Sequence, residues 1–403
     1  MLKISKAKLA LLLIVIFLLG GVAGLSVYGM FPGAVIPGIQ GGTGNGADAG
    51  TGAAGDRFAR IDQLEQYLKE NYYKPISDGA IETALLRGLF MSPGDPYTIY
   101  YTEEDFDQTM EKTHGELSGV GLTLIPNDDD MIEVLSIVAG SPADKAGILK
   151  GDLLLTVDGM VYSGAQLTEA VEAARGEPGT NVAIGTSRDG KAINYTITRS
   201  VFVTPTVERE LINNANGERI GFIRVSAFND NTAADFETAL NYMNSNGVKG
   251  IVIDVRNNAG GLVEQAIEMD DMLLDKGVIC YAENGKGERT PYETEDGKVT
   301  DLPYAVLIDG TSVSAAEIFA LGVKANDGGK LVGQTTYGKG LIQKLERFDT
   351  GDGARITIMQ YVTPSGDPVN GVGIAPDNAV VQPEDAEIGT QSDAPLQKAL
   401  ALL

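Results

Sequence analysis

Two residues have the strongest claim to chemistry: Ser314, a candidate nucleophile, and Lys339, a candidate base 25 positions later. Residues 304–326, YAVLIDGTSVSAAEIFALGVKAN, read as a buried strand, a glycine turn and a helix opening at Ser314. A serine at the tip of a strand-turn-helix stands above the sheet edge. The free N–H groups and positive end of the helix behind it can stabilise a developing oxyanion. The same residues have a plainer reading. Ser314-Ala-Ala-Glu317 fits a capping box, in which the serine hydroxyl and the glutamate satisfy each other's backbone donors.

A serine hydroxyl needs a base. His114, the single histidine, lies about 200 residues earlier in Lys112-Thr-His-Gly115 and reads as a loop or helix-end residue. Lys339 sits between two glycines in Thr335-Thr-Tyr-Gly-Lys-Gly-Leu-Ile-Gln343. Glycines there permit close backbone approach. A lysine sunk into an apolar site has its pKa lowered and can act as a general base. Gln343, four residues on, would share a face with Lys339 in a strand or a helix and could orient the amine without adding charge. Arg256-Asn-Asn-Ala-Gly-Gly261 follows a buried strand. An N–H at Gly260 or Gly261, with that of Ala315, could form an oxyanion hole. The alternative is a simple β-to-α turn. No Gly-Lys-Ser/Thr follows, so a phosphate loop fits poorly.

These residues need an α/β frame. Expected strands are Arg219–Val225, Gly250–Val255, Tyr304–Ile308 and Leu331–Gly333. Helices are expected over Ala233–Ser245, Leu262–Leu274 and Ser314–Ala325 between them. Such alternation implies a largely parallel sheet. Leu341–Arg347 and Arg355–Tyr361 read as a hairpin, and residues 395–403 as a terminal helix. The α/β core thus spans 201–403. Residues 57–115 read as a helical cap and a candidate dimer contact, with Ser92-Pro-Gly-Asp-Pro96 as punctuation. Residues 116–200 carry short β-like runs around one helix, Leu167–Arg175.

Residues 9–31 contain no charge and follow Lys3, Lys6 and Lys8. About 20 apolar residues span a bilayer core, and the lysines place the short N-terminus on the cytoplasmic side. Segment 1–31 therefore reads as a cytoplasmic tip and transmembrane anchor, with the body extracytoplasmic. The rival is a cleaved signal peptide and a secreted product. Residues 32–56, rich in Gly and Ala, read as a tether with an r.m.s. span of roughly 25–30 Å. The formal net charge of −24 argues against nucleic acid as partner. One Cys and one His exclude an intrachain disulfide and the usual Cys/His zinc site. No metal or cofactor is called for.

Gly119-Val-Gly-Leu122, then Ser141-Pro-Ala-Asp-Lys-Ala-Gly-Ile-Leu-Lys-Gly-Asp152 and Val157-Asp-Gly159, resemble a PDZ domain of the bacterial type. A Gly-rich loop presenting backbone N–H groups can hold a terminal carboxylate, and the neighbouring strand edge can accept a peptide as an added strand. On that resemblance Gly119, Val120, Gly121 and Leu122 are the candidate tail-binding residues.

From about residue 58 onward the chain resembles the carboxyl-terminal processing peptidases, or tail-specific proteases. Ser312-Val-Ser-Ala-Ala-Glu317 is similar to the family's Ser-Ala-Ser-Ala-Ser-Glu, and Tyr337-Gly-Lys-Gly340 to its Phe-Gly-Lys-Gly. Val255-Arg-Asn-Asn-Ala-Gly-Gly261 matches a Leu-Arg-Asn-Asn-Pro-Gly-Gly pattern. Tyr361-Val-Thr-Pro-Ser-Gly366 and Gly373-Ile-Ala-Pro-Asp377 match later segments. The resemblance implies a Ser–Lys dyad of Ser314 and Lys339 supported by Gln343, and a core similar to that of the crotonases and ClpP peptidases. It implies protein substrates with apolar C-terminal tails. Val313, Ala316, Ala259 and Tyr337 depart from the family pattern without removing a reactive group. The rival classes are a non-catalytic membrane-bound PDZ adaptor and a crotonase-like acyl-transfer enzyme.

Overall fold

The computed structural model describes residues 53–403 apart from Glu384. The span expected at 9–31 and most of the tether lie outside the described residues. Among the described residues no helix is long and apolar enough to cross a membrane. Helix Ala53–Asn71 belongs to a unit ending at Ile76, and residues 77–403 form a second unit.

The second unit is built on a six-stranded sheet. Its order is Val207–Asn213, Arg219–Val225, Ile251–Asp254, Tyr304–Ile308, Lys330–Gly333 and Asn378–Ala379. The first pair is antiparallel and every later pair parallel. Parallel strands covered on both faces read as continuous apolar runs, and every residue of Ile251–Asp254 and Tyr304–Ile308 is buried. Side-chain alternation sorts the two faces. Ile253, Val306 and Ile308 join the core shared with helices Thr232–Ser245, Val263–Asp271 and Ala315–Ala325. Val252, Ala305 and Leu307 join Leu396, Ala399 and Leu400 of the terminal helix Ala394–Leu400.

A second, antiparallel sheet carries Ile99–Tyr101, Gly353–Val362, Val278–Asn284 and Arg289–Glu293 in that order, with Leu341–Arg347 also on Gly353–Val362. The segment expected as a helical cap is therefore not all helix. Between helices Asp78–Met91 and Glu103–His114 it supplies strand Ile99–Tyr101, which pairs with Arg355, Ala354 and Gly353. Three residues are too few for a period-2 pattern to register.

The β-rich insert forms its own sheet, Leu122–Pro126, Ile132–Ile137, Leu153–Val157, Asn181–Arg188 and Lys191–Thr198, over a separate core that includes Ile132, Val134, Ile148, Ile184 and Ile197. Helix Leu167–Ala174 flanks it. Buried Arg199 closes that helix. Its Nε and Nη2 donate to the carbonyls of Ala174 (3.1 Å) and Ala173 (3.0 Å), a cation where the helix dipole is negative. The insert joins the core through two paired strands, Glu116–Gly119 and Ser200–Val203.

Candidate active site

Strand Tyr304–Ile308 ends in a turn locked to its neighbour. Ser312 Oγ donates to the Val255 carbonyl at 2.8 Å, and Asp309 accepts from the Thr311 N–H (2.9 Å) and hydroxyl (2.7 Å). Ser312 is thus a buried structural residue. Ser314 has φ 58° and ψ −114°. A non-glycine residue at positive φ is uncommon, costs of order 1–3 kcal/mol, and persists only when its surroundings impose it. The Ser314 N–H donates to Glu317 Oε2 at 2.9 Å, and the Glu317 N–H returns to the Ser314 carbonyl at 2.8 Å. Ser314 lines the cleft described below.

The loop after strand Ile251–Asp254 lies against this turn. Val313 N–H donates to the Asn258 carbonyl at 2.9 Å. Gly260 has φ 96°, and a Cβ there would come within 2.7 Å of the Val313 carbonyl oxygen and 2.9 Å of Ser314 Cβ, so only glycine allows the approach. The Gly260 N–H is spent, donating to Asn258 Oδ1 at 2.8 Å, which removes it as an oxyanion donor. The glycine pair alone could not reveal this, because the competitor is the side chain two residues upstream. Among the described residues the N–H groups of Gly261 and Ala315 have no hydrogen-bond acceptor. Arg256 is no ligand. Buried, it grips Asp254 (2.9 and 2.7 Å) and Asp393 (2.8 and 2.8 Å), fixing the loop to the terminal helix.

Lys339 stands in an irregular loop between Gly333 and Leu341. Its flanking glycines have a packing reason. A Cβ at Gly338 would come 3.1 Å from the Gly373 nitrogen, and one at Gly340 only 2.3 Å from the Asn370 nitrogen. Segment 369–374 thus presses on the base loop, and Ile374 N–H donates to Thr336 Oγ1 at 2.7 Å. Burial first, then the Arg355 charge, pushes the Lys339 amine below the ordinary lysine range, against Glu317 and Asp95, which pull it up. The amine makes no hydrogen bond to Ser314. It rests over the ring of Tyr97, 4.6 Å from its centroid.

Gln343 does not orient that amine. Its Nε2 donates to Thr357 Oγ1 at 3.3 Å. The shared-face expectation assumed one regular element over 339–343. Instead the strand begins at Leu341, and its register shifts between Ile342 and Gln343. Both residues still line one cleft of about 740 Å³ with Ser314, Gly260, Gly261 and Arg355. His114 lines the cleft too, but its Nδ1 pairs with Asp230 at 2.8 Å. Gly115 and Thr204, which flank the two strands joining the insert to the core, also line the cleft and are joined by a Thr204 N–H to Gly115 carbonyl bond of 3.1 Å.

Two features were not expected as site residues. Glu317 does more than cap. Its buried carboxylate accepts from Thr336 Oγ1 (2.6 Å), Gly338 N–H (2.6 Å) and Lys339 N–H (2.8 Å) as well as Ser314 N–H. One side chain therefore joins the serine turn to the lysine loop. The residue after the Ser92–Pro96 punctuation, Tyr97, meets Lys339. The adjacent run Thr98-Ile-Tyr-Tyr101 was the signal that a strand follows.

In the insert, Gly119 and Gly121 have φ 153° and 86°, and a Cβ at Gly121 would collide with Ser141 at 2.2 Å. Val120 is buried, with its carbonyl accepting from Ala143 N–H at 2.8 Å. The loop enters strand Leu122–Pro126, an edge strand paired only with Ile132–Ile137 and packed beside helix Leu167–Ala174. An edge strand beside a helix is the geometry that strand addition needs.

Residues 219–380 match peptidase family S41, and residues 133–188 match a PDZ domain. A carboxyl-terminal-processing protease of Synechocystis is 32% identical over 342 residues, covering 83% of this chain and 80% of its own. The carboxy-terminal processing protease CtpA of Bacillus subtilis is 31% identical over 351 residues, 86% of this chain and 74% of its own. The solved photosystem II D1 C-terminal processing protease superimposes with a TM-score of 0.50 at 28% identity, covering 80% of this chain and 86% of that one.

Proposed function

The chain belongs to peptidase family S41, as a carboxyl-terminal processing serine protease with a PDZ domain, and from that premise we propose how its residues divide the work. Ser314 is the nucleophile and Lys339 the general base. The observation that carries this is their shared cleft. A serine at forced positive φ and a lysine amine pushed below its ordinary range line one cleft, tied through Glu317. In the resting arrangement the amine lies on Tyr97, and substrate entry draws it to the hydroxyl. Ser314 Oγ then attacks the scissile carbonyl as Lys339 takes its proton. The N–H groups of Ala315 and Gly261 receive the oxyanion; losing one such donor typically costs about 10²–10³ in rate. Lys339 returns the proton to the leaving amine, and water releases the acyl-enzyme.

The PDZ loop Gly119–Leu122 captures the apolar C-terminal tail of an extracytoplasmic protein, and the connection at Gly115 and Thr204 lines the cleft. Residues 9–31 hold the body at the membrane, or are cleaved to release it. Carbonate extraction of membranes separates these two outcomes. Residues 57–113 remain the candidate dimer contact, to be tested by sedimentation after their removal.

The decisive experiment uses an unfolded protein with an apolar tail, incubated with the parent, Ser314→Ala and Lys339→Ala. Cleavage by the parent alone is expected. Cleavage that survives Ser314→Ala refutes the assignment.

A further inference from the structure

An ammonium carries three donors and, away from water, normally finds partners for them. Among the described residues half-buried Lys339 Nζ has no hydrogen bond and no ion pair; its contact is the face of Tyr97. The charged and titratable groups around it come from four segments. Asp95 and Tyr97 belong to the turn before strand Ile99–Tyr101, Arg355 to strand Gly353–Val362, and Glu317 to the helix behind Ser314. Tyr337, on the lysine's own loop, meets Tyr97.

Of these, only Arg355 shares the sign of an ammonium, and its place is fixed from several sides. Arg355 Nε donates to the Tyr97 carbonyl at 3.0 Å, and Ile99 pairs with Arg355 in register. Asp95 shapes the turn by accepting from Tyr97 N–H (3.0 Å) and Thr98 Oγ1 (2.7 Å). Thr98 Oγ1 in turn accepts from Thr357 N–H, two residues past Arg355, at 3.2 Å. Tyr97 therefore holds the arginine by its carbonyl and the lysine by its ring. The opposing carboxylates are occupied: Glu317 by four donors, Asp95 by the turn.

We infer that Arg355, locked by the Asp95–Tyr97 turn, is a positioning residue that activates Lys339 by like-charge repulsion while the Tyr97 ring holds the amine in reach. A fixed neighbouring cation disfavours the ammonium, and a neutral amine is what a general base requires. The inference rests on the Ser–Lys reading. It is independent of the PDZ domain.

The test has two readouts on the full chain. The first is the pH dependence of kcat/KM on a peptide substrate for the parent, Arg355→Gln, Arg355→Met and Arg355→Lys. Two neutral variants are made so that one stands if the other does not fold. The second is the pH dependence of Lys339 acetylation by acetic anhydride, read by mass spectrometry in a Ser314→Ala background, which needs no catalysis. The expected result is that both neutral changes move the activity limb and the labelling midpoint together to higher pH. Below the limb, activity falls about tenfold per unit of displacement and recovers at alkaline pH. Arg355→Lys, which keeps the charge, stays close to the parent. An unmoved labelling midpoint, whatever happens to kcat or KM, overturns the inference and leaves the dyad intact. A labelling midpoint that moves while the activity limb does not overturns Lys339 as the base, and the inference with it.

Discussion

Glu317→Gln is the substitution on which the geometry speaks most directly. The carboxylate has two donors on each oxygen: Thr336 Oγ1 and Gly338 N–H on Oε1, Ser314 N–H and Lys339 N–H on Oε2. Glutamine keeps the shape but turns one oxygen into a donor. Whichever way the amide is set, it opposes at least one backbone N–H. With the NH₂ at the Oε2 place it opposes two. Each hydrogen bond to a charged group contributes about 1.5–3 kcal/mol, so loss of two costs about 3–6 kcal/mol. A domain's whole stability is about 5–15 kcal/mol. The kinetic effect is separate, because the Oε2 bonds position the backbones of Ser314 and Lys339. A misplacement of about 1 Å can cost about 10²-fold in rate. Urea unfolding and steady-state peptide hydrolysis should therefore both fall. Thr336→Val removes one donor to the carboxylate and also the acceptor of the Ile374 N–H, but leaves the Oε2 bonds, so it should cost comparable stability and far less rate. If Glu317→Gln unfolds at the parent's urea midpoint and hydrolyses at the parent's rate, the carboxylate does not join the two catalytic segments.

Other expectations follow from buried groups. Asp270 is fully buried with neither oxygen hydrogen-bonded, and burial pushes its pKa well above the usual carboxyl range. The folded chain therefore holds a proton that the unfolded chain releases above about pH 4, so stability should fall as pH rises from there toward the folded pKa. Asp270→Asn should flatten that slope in urea midpoints measured from pH 4 to 8. Asp393→Ala strips Arg256 of two of its bonds and removes the cap on Leu396 N–H. Breaking a buried pair costs about 3–5 kcal/mol, which a thermal melt would register. Gly121→Ala puts a Cβ into Ser141 at φ 86° and should abolish tail-peptide capture by the PDZ loop in fluorescence anisotropy.

The strands and helices that carry the serine were readable because their patterns are local. Tyr304–Ile308 is an unbroken apolar run buried end to end, and its bounds agree with expectation to the residue. Arg219–Val225 agrees equally well. The losses have two physical causes. One is brevity or polarity: Ile99–Tyr101 has three residues, and Arg289–Glu293 is a largely exposed strand with little apolar alternation. The other is that hydrogen-bond competition is decided in three dimensions. Nothing in Asn258-Ala-Gly260 says that the asparagine side chain will take the Gly260 N–H, and nothing in the spacing of Lys339 and Gln343 says that a strand starts between them.

The same distinction explains why the proposed reactive residues could be picked from the sequence and their supports could not. A nucleophile and a base are confined to a few residue types, and their glycine surroundings mark them. A supporting group only has to supply charge or a hydrogen bond at the right point, so many residue types qualify and the chain can deliver one from anywhere. Here the charge beside Lys339 comes from Arg355, 16 positions on, and the ring beneath it from Tyr97, more than 200 positions earlier. What brings them together is one register, Ile99 on Arg355. Because a one-residue slip turns every side chain to the other face, that pairing sets the environment of Lys339 as firmly as its own flanking glycines do. On this reading residues before the PDZ domain contribute to the proposed catalytic unit. A chain cut at the start of the S41 match, residue 219, would keep Ser314 and Lys339 and lose Tyr97 and the lock on Arg355.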